Sequence, residues 1–209
     1  MNKTKYDLLK SRLITNLFNP KQYQELYDAI ENSKTEKIIV PELGYVSTPL
    51  FLSDDLISFL HSKVEKEVGV KIHHSFIHYA RYSLSSGNKP MLMPHYDRGL
   101  TQFAFSFAVV LEHTIEWDIY VEHQRFIPRK NDAVFFSGSH NVHWRPNIEF
   151  GKDDYYDILV CQFMEEPNND NMVTLEHTES MNKKNGDLCL LWEKLNDPKT
   201  YNKKMGYND

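Results

Sequence analysis

The segment Met93-Pro94-His95-Tyr96-Asp97-Arg98 places an imidazole and a carboxylate two positions apart. Along extended backbone alternate side chains share a face, so His95 and Asp97 point one way and Tyr96 the other. A second group, Gly138-Ser139-His140-Asn141-Val142-His143-Trp144-Arg145-Pro146, follows later in the chain and offers further imidazoles. Two imidazoles and one carboxylate gathered on one side of a metal leave the opposite coordination positions open. That set suits ferrous iron, which has to hold a bidentate co-substrate and dioxygen together. A His-x-Asp tripeptide alone is a weak signal, because most such tripeptides are surface or structural. Its surroundings add weight: it follows a Tyr82 strand and a Gly87/Pro90 turn, and the second group follows a turn at Asn131-Asp132 that feeds a short apolar strand.

The elements that must position these residues fall into two regimes. Tyr6, Leu9, Leu13, Ile14 and Leu17 recur at helical spacing, with Asn19-Pro20 ending that element. Tyr23, Leu26, Tyr27 and Ile30 mark a second helix, and Val40-Pro41-Glu42-Leu43-Gly44 a connector. Ser53-Asp54-Asp55 caps a third helix running to Val68-Gly69. After Gly69 the period becomes two, and strands are expected over 71–83, 101–112, 117–123, 133–136 and 155–164. In the second of these, Phe103, Phe105, Phe107, Val109 and Leu111 share a bulky face, while Ala104, Ser106 and Ala108 share a small one. The bulky face can fill a core; the small face either leaves room for a ligand or accommodates a large neighbour. Helices followed by several short strands suggest a sandwich or jelly roll backed by helices.

The chain of 209 residues fits one domain. It divides into a mainly helical N-terminal support (1–70), a β core (71–165) and a polar tail (166–209) with one short helix around Leu188 to Leu195. With 12 Phe, 12 Tyr and 3 Trp it can bury a real core. The net charge of -5, without a long run of one sign, gives no footprint for nucleic acid. No apolar stretch reaches membrane length and Met1 to Lys10 lacks a signal-peptide core, so a cytoplasmic protein without a membrane partner is expected. Cys161 and Cys189 are too few for a disulfide framework.

The run from Tyr82-Ser83 through Gly87 to Pro94-His95-Tyr96-Asp97, then Asn131-Asp132-Ala133-Val134-Phe135-Phe136, then His143 with Pro146 and Gly151 resembles the iron(II)- and 2-oxoglutarate-dependent oxygenases, in the style of their prolyl-hydroxylase-like branch. The likeness covers Ile72 to Met164, somewhat under half of the chain. It implies a double-stranded β-helix, a jelly roll related to the cupins, backed by the N-terminal helices. It also implies Fe(II), 2-oxoglutarate as co-substrate and dioxygen. Carried over by residue, it makes His95 and Asp97 the first two iron ligands, with His140 and His143 competing for the third. The family's separation from the Asp132 turn favours His143.

The anchor for 2-oxoglutarate departs from the family pattern. A basic residue is expected at the start of the strand after the distal histidine, but position 153 is Asp. Lys152 is one position short; Arg145, two positions after His143, shares its face if the segment is extended and can grip a carboxylate through two hydrogen bonds. Arg145 ranks first and Lys152 second, with Arg98 and Arg81 behind. Tyr82 resembles the strand tyrosine that helps hold 2-oxoglutarate, or else packs in the core; Trp144 likewise walls a pocket or packs.

The reaction so implied is hydroxylation of an amino-acid side chain, free or in a peptide or protein. Halogenating relatives replace the ligand carboxylate by a small residue, and Asp97 retains it. The substrate, a small molecule or a peptide, and the oligomeric state are not readable. Two other readings stay open: a non-catalytic cupin-like metal-binding protein, and a cupin-type metal enzyme that does not use 2-oxoglutarate.

Overall fold

The computed structural model describes residues 10–33, 36–97, 104–165 and 175–196, with positions 199 and 205. Among these residues it forms eleven strands and three α-helices. The order is β1 (Arg12–Ile14), α1 (Pro20–Glu31), β2 (Ile38–Val40), β3 (Tyr45–Pro49), α2 (Asp54–Val68), β4 (Ile72–Ser83), β5 (Leu92–His95) and β6 (Ala104–His113). It continues with β7 (Ile119–Val121), β8 (Gln124–Phe126), β9 (Ala133–Ser137), β10 (His143–Arg145), β11 (Tyr155–Glu165) and α3 (Leu175–Asn196). A seven-stranded sheet runs β1-β9-β6-β11-β4-β3-β2 and a four-stranded sheet runs β5-β10-β7-β8. Every pairing is antiparallel, which is the two-sheet jelly roll that the strand pattern implies.

The long strands sort their side chains by parity. Phe105, Phe107, Val109 and Leu111 of β6, Phe135 of β9, and Leu159, Cys161 and Phe163 of β11 form one buried face. Leu26 of α1 and Leu56, Leu60 and Val64 of α2 cover it. Burying a leucine or phenylalanine there contributes about 1.5–3 kcal/mol. Alternate residues face the small sheet: Ser106 and Ala108 lie level with Phe136 and Val134 across β9, and with Gln162 and Val160 across β11. The bulky face of β6 therefore builds the helix-backed core, and its small face leaves space between the sheets.

α2 begins and ends where its caps dictate. The Ser53 hydroxyl accepts from the Leu56 N–H, worth about 1 kcal/mol at such a position. Gly69 closes the helix in the left-handed region at φ 71°.

The first 70 residues differ from a helical support. The helix expected through Leu13, Ile14 and Leu17 is instead an edge strand, β1, pairing with β9; Tyr6 and Leu9 lie outside the described residues. Its partner strand and a tertiary clamp override the local spacing. The Asn16 N–H donates to Asp132 Oδ1 at 3.2 Å, and the Phe18 N–H to Asn131 Oδ1 at 3.0 Å. Asn19-Pro20 does not end that element but starts α1, through a capping box with Gln22 and proline at the first turn. β2 and β3 extend the large sheet beside β4. The tail helix is also longer than expected, 22 residues rather than a short segment near Leu188.

Candidate metal centre and its cavity

β5 and β10 are neighbours in the small sheet, and their register sets His95 directly opposite His143. Their rings lie 4.2 Å apart between centroids. Asp97 follows β5 and is tied by its N–H to the Gly138 carbonyl at 2.8 Å, just past β9. Asp97 Oδ1 then sits 3.7 Å from His95 Nε2 and 3.4 Å from His143 Nε2. One ligand atom from each of the three side chains falls within 4.8 Å of the others, close enough to share an ion.

Each imidazole is held in one tautomer. His95 Nδ1 donates to the Met93 carbonyl at 2.8 Å and His143 Nδ1 to the Asn141 carbonyl at 3.1 Å. A carbonyl only accepts, so the proton lies on Nδ1 and the lone pair of the neutral ring on Nε2, the nitrogen facing Asp97. Ser106 Oγ donates to Asp97 Oδ2 at 2.7 Å, leaving Oδ1 for a metal. Burial pushes the Asp97 carboxyl up, but His143, His95 and the Ser106 hydroxyl outweigh it and hold the group below the usual carboxylate range. A carboxylate between two imidazoles is a donor set for a divalent transition metal.

Gly138 is required by close approach. A Cβ there would lie 2.1 Å from Asp97 Oδ2. Gly138→Ala is therefore expected to displace the Asp97 carboxylate without straining the backbone. Displacing one of three ligand atoms is expected to weaken metal binding roughly 10–100-fold. Isothermal titration with Ni(II) checks this; wild-type affinity would contradict it.

A cavity of about 280 Å³ opens beside the three side chains, between the two sheets. Arg145, Tyr82, His78, Gln162 and Phe76 are among its lining residues. Arg145 is 1% exposed and stacks on the rings of Trp117 and Tyr156, at 5.2 and 4.5 Å from their centroids. One guanidinium nitrogen donates to the Trp117 carbonyl. Its Nε is buried without a hydrogen-bond partner among the described residues, and so is the Tyr156 hydroxyl beside it. A buried guanidinium with an unused donor, on a cavity wall, has the chemistry to hold an anion. Tyr82 is buried against Tyr45 and Trp117 at the same end, and burial pushes its hydroxyl up, so it remains a donor at neutral pH.

The other residues singled out in the sequence lie elsewhere. Lys152 is exposed and lines a surface depression with Arg81, Ser83 and Tyr155, separate from this cavity. Arg81 is paired through two contacts, 2.8 and 2.6 Å, with Asp157. Arg98 lies outside the described residues. His140 is exposed in the turn, its Nδ1 3.1 Å from both the Ser137 and Ser139 hydroxyls. Trp144, one residue from both His143 and Arg145, stacks on Tyr120 at 5.2 Å and is not in the cavity lining. Two cavity residues carry no sequence signal of the parts they play, although Ser106 lies on the small strand face with room for a ligand. Ser106 reads as a small strand residue, and His78 as one histidine among several on a strand. Burial pushes His78 down to about 4, with Asp97 opposing, so it lines the cavity as a neutral imidazole at pH 7.

No protein-family model matches the sequence, and no curated protein matches it. Solved structures do match. The non-heme alpha-ketoglutarate-dependent epimerase SnoN from nogalamycin biosynthesis aligns at a TM-score of 0.60 and 10% identity, covering 77% of this chain and 80% of SnoN. SnoN in complex with Fe3+, alpha-ketoglutarate and nogalamycin RO aligns at 0.54. An oxidoreductase of the 2OG-Fe(II) oxygenase family from Burkholderia pseudomallei aligns at 0.58 and 10% identity, covering 81% of this chain and 96% of that one. A prolyl hydroxylase from Trichoplax adhaerens, in complex with a hypoxia-inducible factor peptide fragment, aligns at 0.51 and 13% identity, covering 76% and 86%. The fold of this chain is thus the jelly roll of the 2-oxoglutarate oxygenases, as the motif resemblance implies.

Proposed function

We propose that this chain is an iron(II)- and 2-oxoglutarate-dependent dioxygenase that hydroxylates an uncharged amino-acid side chain, free or within a polypeptide. The observation that carries the reading is one cavity holding both the His95–Asp97–His143 cluster and a buried arginine with an unused donor. A non-catalytic metal protein has no need of that arginine, and a cupin-type enzyme without a diacid co-substrate has none either.

His95, Asp97 and His143 would hold the iron on one side, which leaves room opposite for ligands that react. Iron with 2-oxoglutarate and dioxygen supplies the oxidising chemistry, with succinate and carbon dioxide as by-products. The protein's part is placement. Arg145 would grip the distal carboxylate of 2-oxoglutarate, with the Tyr82 hydroxyl as a second donor. His143 and Arg145 are two residues apart on one strand, about 6.5–7 Å at the usual rise. Both side chains line the one cavity, so a diacid could have one end at the metal and the other at the guanidinium. The residues facing the rest of the cavity are uncharged: Phe76, Gln162, Leu92, Val160 and the neutral His78. They favour a substrate group without charge and keep water from the metal. The peptide-bound Trichoplax enzyme supports an amino-acid side chain as target, and retention of the Asp97 carboxylate supports hydroxyl transfer rather than halide transfer.

The purified protein, supplied with Fe(II), 2-oxoglutarate and air, is expected to release succinate, and 2-oxoglutarate with Ni(II) is expected to raise its thermal midpoint. Absence of succinate together with an unmoved midpoint overturns the reading. Mass spectrometry of candidate peptides and free amino acids then looks for a gain of one oxygen atom.

A further inference from the structure

Three successive residues at the metal centre are fixed by three different parts of the fold. His95 is held in register with β10, and the Asp97 N–H is bonded to Gly138. Tyr96, between them, uses neither. Its N–H donates to Asn185 Oδ1 at 2.9 Å, and its carbonyl accepts from Asn185 Nδ2 at 3.1 Å. A carboxamide presents a donor and an acceptor in one plane, as a peptide group does. Asn185 therefore acts as a one-residue strand partner. It holds both the position and the rotation of the Tyr96 backbone, from a helix 89 positions away in sequence.

Asn185 is 8% exposed, while Lys183 and Lys184 beside it on α3 are exposed. Trp192, seven residues and two helical turns further on, shares its face and is also buried. α3 is thus seated by an indole at one point and by this amide at another, and the amide lands on the residue that joins two ligands.

We infer that Asn185 is a positioning residue for the metal centre, coupling the C-terminal helix to the geometry of His95 and Asp97. The inference rests on the metal reading above. Residues that orient metal ligands typically cost roughly 10–100-fold in metal affinity when lost.

The test is Ni(II) titration of the full-length, metal-free protein by calorimetry, well below its thermal midpoint, for wild type, Asn185→Ala and Asn185→Asp. The aspartate variant keeps the size and the acceptor for the Tyr96 N–H but turns an oxygen towards the Tyr96 carbonyl. It serves as the measurement if the alanine variant does not fold. Both folded variants are expected to bind Ni(II) at least tenfold more weakly, while Lys184→Ala on the exposed face binds as wild type does. If Asn185 only tied the helix down, its loss would lower the thermal midpoint and leave the Ni(II) affinity of the folded protein intact. Wild-type Ni(II) affinity in the folded Asn185 variants overturns the inference alone. A wild type that binds no Ni(II), or a His143→Ala variant that binds it unchanged, overturns the metal reading with it.

Discussion

His143→Ala is expected to abolish Ni(II) binding and reduce succinate release to background, while His140→Ala leaves both near the wild-type level. The two imidazoles sit three positions apart on one short segment, and their surroundings differ completely. His143 is 4% exposed, in register with His95, and its Nε2 is 3.4 Å from Asp97 Oδ1. Its other nitrogen is bound to a backbone carbonyl, so ring orientation and tautomer are set before a metal arrives. His140 stands in solvent with its Nδ1 between two serine hydroxyls. Removing His143 leaves one imidazole and one carboxylate, too few donors to hold iron while most of its coordination sphere is given to reactants. Calorimetry with Ni(II) and a succinate assay on both variants decide the assignment. The reverse pattern would make His140 the ligand.

Arg145→Ala is expected to raise the KM for 2-oxoglutarate by roughly 10–100-fold, which is what about 1.5–3 kcal/mol for a hydrogen bond to a charged group amounts to. Lys152→Ala is expected to leave it unchanged, because that side chain lies on the surface outside the cavity. Arg145 is packed between Trp117 and Tyr156, so truncation also removes buried contacts. Arg145→Lys separates the two effects. It keeps a cation and most of the stem but loses the planar fork, so KM rises while the thermal midpoint falls less than in the alanine variant. An unchanged KM in both, with a raised KM in Lys152→Ala, would move the anchor to the turn before β11.

The parts of the fold that were legible share a physical cause. Alternation along β4, β6 and β11 is long enough to repeat, and each strand divides a helix-backed core from a cavity wall. α2 carries its own start and stop signals in Ser53 and Gly69. β5 and β10 hold the metal cluster yet run only four and three residues, too short for a period to appear. Edge strand β1 was hidden because its structure comes from β9 and from the Asn131 and Asp132 side chains, while its own apolar spacing imitates a helix. At the site, His95 and Asp97 announce themselves by alternation, and Arg145 follows from the same rule applied to His143. The buried state of Arg145 could not be read, since charge alone suggests a surface salt bridge. Asn185 was invisible for a different reason. Its partner is backbone, so no residue type at Tyr96 hints at it, and the polar tail around it shows no apolar period that would put it on a buried face.

The placement of His143 and Arg145 on the single strand β10 has a consequence for co-substrate choice. Where the metal ligand and the cation stand on separate strands, loop motion can stretch or shrink the gap between them. Here both side chains leave one strand two positions apart and reach one cavity, so the backbone spacing between ligand and cation is fixed by β10. If the proposed co-substrate bridges the two, 2-oxo diacids one carbon shorter or longer are expected to bind more weakly, which a competition titration against 2-oxoglutarate measures.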